Sequence, residues 1–274
     1  MSKGEEGGML LGRHTPVLLE YAPQILHPIP RINARHQLGL RDVLPFYGVD
    51  LWHAYEMSWL DSHGKPVVRV GRFGVPANSP NMVESKSFKL YLNSLNNVQF
   101  TSADEARNTI VADISAVAGA AVSLALLSVD DASLRGVPLP GVCLDDAAVE
   151  PWSGEPQAQQ LRVDEDSVIE EKVFSHLLRS LCPVTGQPDW ATVWLHYRGP
   201  AIEHSSLLQY IIAYREHQEF HEQCVERMFR DIFGQGVFQF LHVQAFYTRR
   251  GGLDINPFRS SDADSLPLPR QNRQ

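Results

Sequence analysis

WHAYEMSWLDSHGKPVVRVGRF, residues 52–73, is the stretch whose reading decides the fold. Aromatic and apolar residues dominate from Trp52 to Leu60, DSHGK supplies the small and polar residues of a turn, and PVVRVGRF resumes a β-rich run. Together they predict a hairpin. A loop, GVPANSPNM (74–82), leads into VESKSFKLYLNSL (83–95), which carries helix formers. Ser102 and Glu105 then stand at the spacing of a capping box, and Ala106, Ile110, Ile114 and Val117 recur behind them at helical intervals. AVSLALLSV (121–129) reads as a buried strand.

The same order returns after the polar, acidic stretch EPWSGEPQAQQLRVDEDS (150–167), which holds the expected linker. DWATVWLHYRG (189–199) reads as a strand entering a turn. EHSSLLQYIIAYREH (203–217) and EFHEQCVERMFRDIFG (219–234) read as helices, the second with an apolar stripe at Phe220, Cys224, Val225, Met228, Phe229, Ile232 and Phe233 and Gly234 as its stop. VFQFLHVQAFYTRRGG (237–252) closes the unit as a strand. Glu, Ser and Tyr fall at matching offsets in ESKSFKLYL (84–92) and EHSSLLQYI (203–211). The order of elements predicts an α+β protein of two tandem β-β-α-α-β units, with helices on one face of antiparallel sheets. The expected divisions are an N-terminal extension (1–37), a first unit (38–150), a linker (151–165) and a second unit (166–274).

Composition narrows the function classes. The 274 residues, 43% hydrophobic and 20% charged, are ordinary for a globular protein, and the net charge of −8 opposes binding to nucleic acid or anionic membranes. The longest apolar stretch, Ala116 to Val129, is interrupted by Gly119 and Ser123 and falls short of the ~20 residues of a membrane helix. MSKGEEGGMLLGRH at the start lacks the basic and apolar regions of a signal peptide, so a cytoplasmic location is expected. Three scattered cysteines, Cys143, Cys182 and Cys224, are read as free thiols rather than a disulfide framework.

SLCPVTGQPDW (180–190) raises the chemical question. Cys182 precedes a turn rich in proline and glycine, where a side chain can be exposed yet held, and Asp189 stands across that turn as a possible proton partner. A buried apolar role for the cysteine and a capping role for the aspartate are the bland alternatives. His221 and Glu222 open a helix; stripe geometry sets Glu222 away from Phe220 and Cys224, which favours a solvated helix face. A zinc set of Cys182, His221 and Cys224 is also open, although Cys224 lies within the apolar stripe. Lys86 and Lys89, with Arg249 and Arg250 beside glycines, are cations suited to a phosphorylated cofactor or simply to solvent. Neither a Rossmann fingerprint nor a P-loop is written in the chain.

Taken together, ESKSFKLYLNS (84–94), CPVTGQPDW (182–190), EFHEQCVER (219–227) and YTRRGGLDINP (247–257) resemble the long form of the NADPH-dependent 7-cyano-7-deazaguanine reductases, which make a precursor of queuosine for tRNA modification. The resemblance runs from Leu38 to Asn256. It implies two tandem tunnelling-fold units and a four-electron reduction of a nitrile to a primary amine by two NADPH, through a covalent thioimide. Carried onto this chain, it implies Cys182 as nucleophile and Asp189 as proton donor. It assigns the deazapurine base to His221 and Glu222 with Val83, Glu84 and Ser85, and NADPH to Ser85, Lys86, Arg250 and Gly251. No metal is implied, and the long form suggests a homodimer. Two rivals remain: a zinc-dependent cyclohydrolase of the same fold, and a non-catalytic binder of purine-like bases.

Overall fold

The computed structural model describes residues 20–41, 43–150 and 154–274. Residues 1–19 of the expected extension (1–37) and residues 151–153 of the expected linker (151–165) lie outside the described residues. In chain order the regular elements are β1 (Pro28–Pro30), α1 (Ile32–Gln37), β2 (Tyr47–Leu60), β3 (Pro66–Pro76), β4 (Asn81–Val83), α2 (Ser85–Ser94), α3 (Ala103–Ala118), β5 (Ser123–Leu127), β6 (Val142–Cys143), β7 (Val163–Ser175), β8 (Arg179–Leu181), β9 (Pro188–Ile202), α4 (His204–Ile212), α5 (His221–Phe233), β10 (Phe240–Tyr247) and β11 (Leu253–Ser260). They fall into two compact units. One takes the described residues up to Ile32, Trp52–Asp131 and Arg250–Leu253; the other takes Asn33–Leu51, Ala132–Arg249 and the segment from Asp254 onward.

In the first unit, β2 and β3 form the hairpin read from the sequence. Its turn is closed by Asp61, whose backbone N–H donates to Lys65 O and whose Oδ1 accepts from the backbone N–H groups of His63 and Lys65. Buried Trp52 and Phe73 meet Phe88 of α2 edge-on at ring separations of 5.3 and 5.0 Å. Burying a ring such as Phe88 stabilises by about 2–3 kcal/mol, which fixes α2 on the hairpin. Ser102 accepts from Glu105 N–H as expected, but Glu105 returns its bond one residue early, to Thr101 N–H and its hydroxyl. The buried strand expected at 121–129 is corrected. β5 is five residues long with only Leu124 buried, because it ends its sheet and pairs on one side alone, with β3.

In the second unit the strand order is β11-β10-β9-β7-β6, antiparallel except for the short parallel pair β6–β7, and β8 hangs on the start of β9. The turn expected at Gly199 does not occur. β9 runs on through Pro200 to Ile202, because a bulge in β7 between Asp164 and Val168 absorbs the irregularity and pairing resumes at Ala201. α5 packs on β10 through Cys224, Val225, Met228, Phe229 and Ile232, all buried, and stops at Gly234 in ordinary right-handed geometry. Its register is further set by Glu226, which accepts from Arg35 at 2.7 Å and Arg259 at 2.8 Å; Arg259 also pairs with Asp50 at 2.8 Å.

The local rhyme between the halves is structural. Glu84 N–H donates to His27 O and Ser87 Oγ bonds Glu84 O and His27 N–H; Glu203 N–H donates to Arg162 O and Ser206 Oγ bonds Glu203 O and Arg162 N–H. The same glutamate–serine clasp therefore opens α2 and α4.

Candidate functional site

Cys182 and Asp189 are held by one small hairpin. β8 pairs with β9 through Ser180 opposite Asp189 and Leu181 opposite Pro188. Beyond that ladder Cys182 N–H donates to Gln187 O at 2.9 Å, and Cys182 O accepts from Gly186 N–H at 2.9 Å. Leu181 N–H donates to His217 O, which ties the hairpin to the segment ahead of α5. The exposed position expected for the thiol is not seen: Cys182 is 5% exposed and Asp189 4%.

His221 and Glu222 are the first residues of α5. His221 Nε2 lies 3.3 Å from Asp189 Oδ2, and its ring lies on Tyr247 at 3.7 Å with only 9° between planes. Its Nδ1 is buried without a hydrogen-bond partner. Glu222 is 4% exposed, so the solvated face expected for it is corrected. The reason lies four residues on, at the same helical face: Glu226 is enclosed by Arg35 and Arg259, and the acidic side of α5 is turned inward. A carboxylate at this helix start is also favoured by the positive end of the helix dipole. Cys182, Asp189, His221 and Glu222 thus share one unit, and of these the thiol, the Asp189 carboxylate and the helix start are all nearly shielded from solvent.

The zinc set expected as an alternative fails on geometry. Among the described residues the ligand atoms of Cys182, His221 and Cys224 do not gather within reach of one ion. Burial pushes the Cys224 thiol well up, and Tyr247 beside it likewise, so both stay neutral members of the core.

In the first unit, β4 ends at Val83 and Glu84 caps α2, its carboxylate accepting from the backbone N–H groups of Lys86 at 3.1 Å and Ser87 at 2.7 Å. Both oxygens are therefore already engaged, each with a lone pair to spare. Pro28 pairs with Val83 and His27 clasps Glu84, so residues 27–30, which carry no expected role, hold this segment. Ser85 opens α2, and Lys86 follows it.

Arg250 and Gly251 belong to the turn Arg250–Leu253, closed by reciprocal backbone bonds of 2.9 and 3.1 Å. Gly251 and Gly252 take φ of +59° and +82°, the signature of a type I′ turn that only glycine enters at low cost. A cavity of about 120 Å³ lies here, lined by Glu56, Lys89, Asn93, Asn96, Gly251 and Gly252. A Cβ on Gly251 would come 3.3 Å from Lys89 Nζ, and that ammonium pairs with Glu56 at 3.6 Å. Bare glycine backbone beside a cation suits the phosphates of NADPH. Lys89, noted in the sequence only as one cation among several, is the lysine that lines the cavity.

The family model described as nitrile reductase, 7-cyano-7-deazaguanine-reductase N-terminal, matches residues 18–126, and the one described as QueF-like protein matches 188–265. The NADPH-dependent 7-cyano-7-deazaguanine reductase of Burkholderia lata (strain 383) is 51% identical over 264 residues, covering 96% of this chain and 96% of its own. The two matches fall in order on an α+β chain of two tandem tunnelling-fold units. With identity at this level over nearly its whole length, the chain belongs to the family of NADPH-dependent 7-cyano-7-deazaguanine reductases.

Proposed function

We propose that this chain reduces the nitrile of 7-cyano-7-deazaguanine to the aminomethyl group of 7-aminomethyl-7-deazaguanine, a step toward queuosine in tRNA. The observation that carries this reading is the cluster in the second unit: a shielded thiol, Cys182, on a hairpin with a shielded carboxylate, Asp189, that faces His221 at 3.3 Å. Family membership supplies the substrate.

A nitrile carbon is electrophilic but linear and resists direct attack by hydride, so covalent addition divides the problem. As the Cys182 sulfur bonds to the nitrile carbon its S–H proton passes to Asp189, one C–N π bond breaks, and Asp189 delivers that proton to nitrogen, leaving a thioimide. Bound NADPH supplies hydride, and two equivalents provide the four electrons from nitrile to amine. After the first reduction the sulfur leaves the carbon; shielding of Cys182 and Asp189 keeps water from the resulting imine. Glu222, with two acceptor oxygens, holds adjacent N–H groups of the base, with His221 beside it; the family resemblance adds Val83, Glu84 and Ser85 as base contacts. Ser85, Lys86, Arg250 and Gly251 hold the cofactor. The protein works in the cytoplasm as a homodimer and binds the free base rather than nucleic acid; net charge and the long-form resemblance support these last points.

Intact-protein mass spectrometry tests the reading. Mixed with 7-cyano-7-deazaguanine and no NADPH, the protein gains one substrate mass on Cys182, and the adduct disappears as NADPH is added and consumed. No adduct together with untouched NADPH overturns it. In Cys182→Ala, base binding persists while turnover and adduct are lost; retained turnover removes the cysteine from the mechanism.

A further inference from the structure

Outside this cluster, Cys143, Asp145 and His176 bring a sulfur, a carboxylate oxygen and an imidazole nitrogen within 4.8 Å of one another. Cys143 and His176 are exposed and Asp145 is half-buried.

The platform beneath them is fastened along its length. Trp194 Nε1 donates to Pro140 O at 2.9 Å, Val142 and Cys143 pair in parallel with Val173 and Phe174, and Leu144 N–H donates to Phe174 O at 2.9 Å. Gly141 makes this approach possible: at φ +117° its missing Cβ would fall 2.2 Å from Lys172 O. The polar groups are also aimed. Asp145 Oδ1 accepts from Ser175 Oγ at 2.7 Å and from His176 N–H at 3.0 Å, and Oδ2 accepts from the same N–H at 3.3 Å, so the carboxylate is held against the end of β7. His176 Nδ1 lies 2.9 Å from Thr192 Oγ1, and Thr192 is buried, so the other ring nitrogen is the one left for a ligand. Hydrogen bonds behind an imidazole and a carboxylate are what orient metal ligands and fix the tautomer.

We propose that Cys143, Asp145 and His176 form a binding site for one divalent transition ion of the zinc class, with solvent completing the tetrahedron. The mixed sulfur, nitrogen and oxygen set is too soft for calcium or magnesium, which take oxygen ligands. Ligand distances near 2.3 Å for sulfur and 2.0 Å for nitrogen require the atoms to close to roughly 3.5 Å apart, a change that side-chain rotation at an exposed site accommodates. Binding would pin the segment after β6 to the end of β7. It is independent of the nitrile chemistry.

The test uses the full chain, stripped of metal and titrated with Zn²⁺ against a chromophoric chelator, and with Co²⁺ followed by absorption. One ion per chain is expected, with a sulfur-to-cobalt charge-transfer band that Cys143→Ser abolishes. Cys143→Ser and His176→Ala weaken Zn²⁺ binding about 100-fold or more, and Thr192→Val, which leaves every ligand in place, weakens it about tenfold. Cys182→Ala binds as the parent does. The proposal is overturned by absence of binding, by undiminished binding in Cys143→Ser, or by loss of the cobalt band in Cys182→Ala.

Discussion

His221 Nε2 lies 3.3 Å from Asp189 Oδ2 while the His221 ring lies flat on Tyr247 at 3.7 Å, so the polar contact and the stacking position the imidazole together. Asp189→Asn preserves shape and hydrogen bonding but removes the transferable proton. Its kcat falls about 100-fold or more while base affinity changes little, as steady-state NADPH oxidation and ligand titration will show.

Glu222 is enclosed rather than solvated, and under the proposed function it receives N–H groups of the base. Glu222→Gln leaves one acceptor and adds a donor where the base also donates. Base affinity, read by isothermal titration, weakens by about 1.5–3 kcal/mol, or ten- to a hundredfold. An unchanged affinity would return Glu222 to a purely structural part in α5.

Gly251→Ala confronts a left-handed backbone position at a cost of about 1 kcal/mol and places a methyl against Lys89. The expected result is a raised KM for NADPH with kcat for the nitrile largely kept. Lys89→Met acts on the same cavity through charge alone, and its effect on KM shrinks as salt rises.

Burial, and then the neighbouring His196, hold the His242 imidazole down at about 4 from an ordinary 6.5. Between those values the unfolded chain binds a proton that the folded chain refuses, so stability rises with pH across that window and is lost as pH falls through it. Burial lowers His196 in the same sense. The urea midpoint therefore drops on acidification from 6.5 toward 4, and His242→Gln, which can keep the bond to Ser265 Oγ at 2.8 Å, makes the drop smaller.

Elements with a strong apolar rhythm were legible from sequence: the 52–73 hairpin, the capped α3 and the striped α5 all stand where their residues predict. β11 was not, because Asp254, Asn256 and Arg259 lie buried in it as paired polar groups, and hydrophobic patterning is silent about such a strand. β7 alternates exposed acids with half-buried residues over most of its length, so its first residues, as far as Ser167, read as linker. In the site, Cys182 and Asp189 were visible as residue types, while the stacking partner Tyr247 and the burial of Glu222 depend on contacts remote in sequence. The apolar stripe of α5 could not reveal that Arg35 and Arg259 enclose its acidic side.

The hairpin that joins Cys182 to Asp189 also translates into a rule about insertions and deletions. Side chains of β9 alternate, with Asp189 turned inward and Trp190, 36% exposed, turned outward beneath the guanidinium groups of Arg179 and Arg215. Removing or adding a single residue between Pro183 and Gln187 would shift the pleat by one step, presenting an indole where the carboxylate belongs. The separation of thiol and acid is thus encoded as a number of residues, and lineages that depend on this pair can respell the turn but must keep its count.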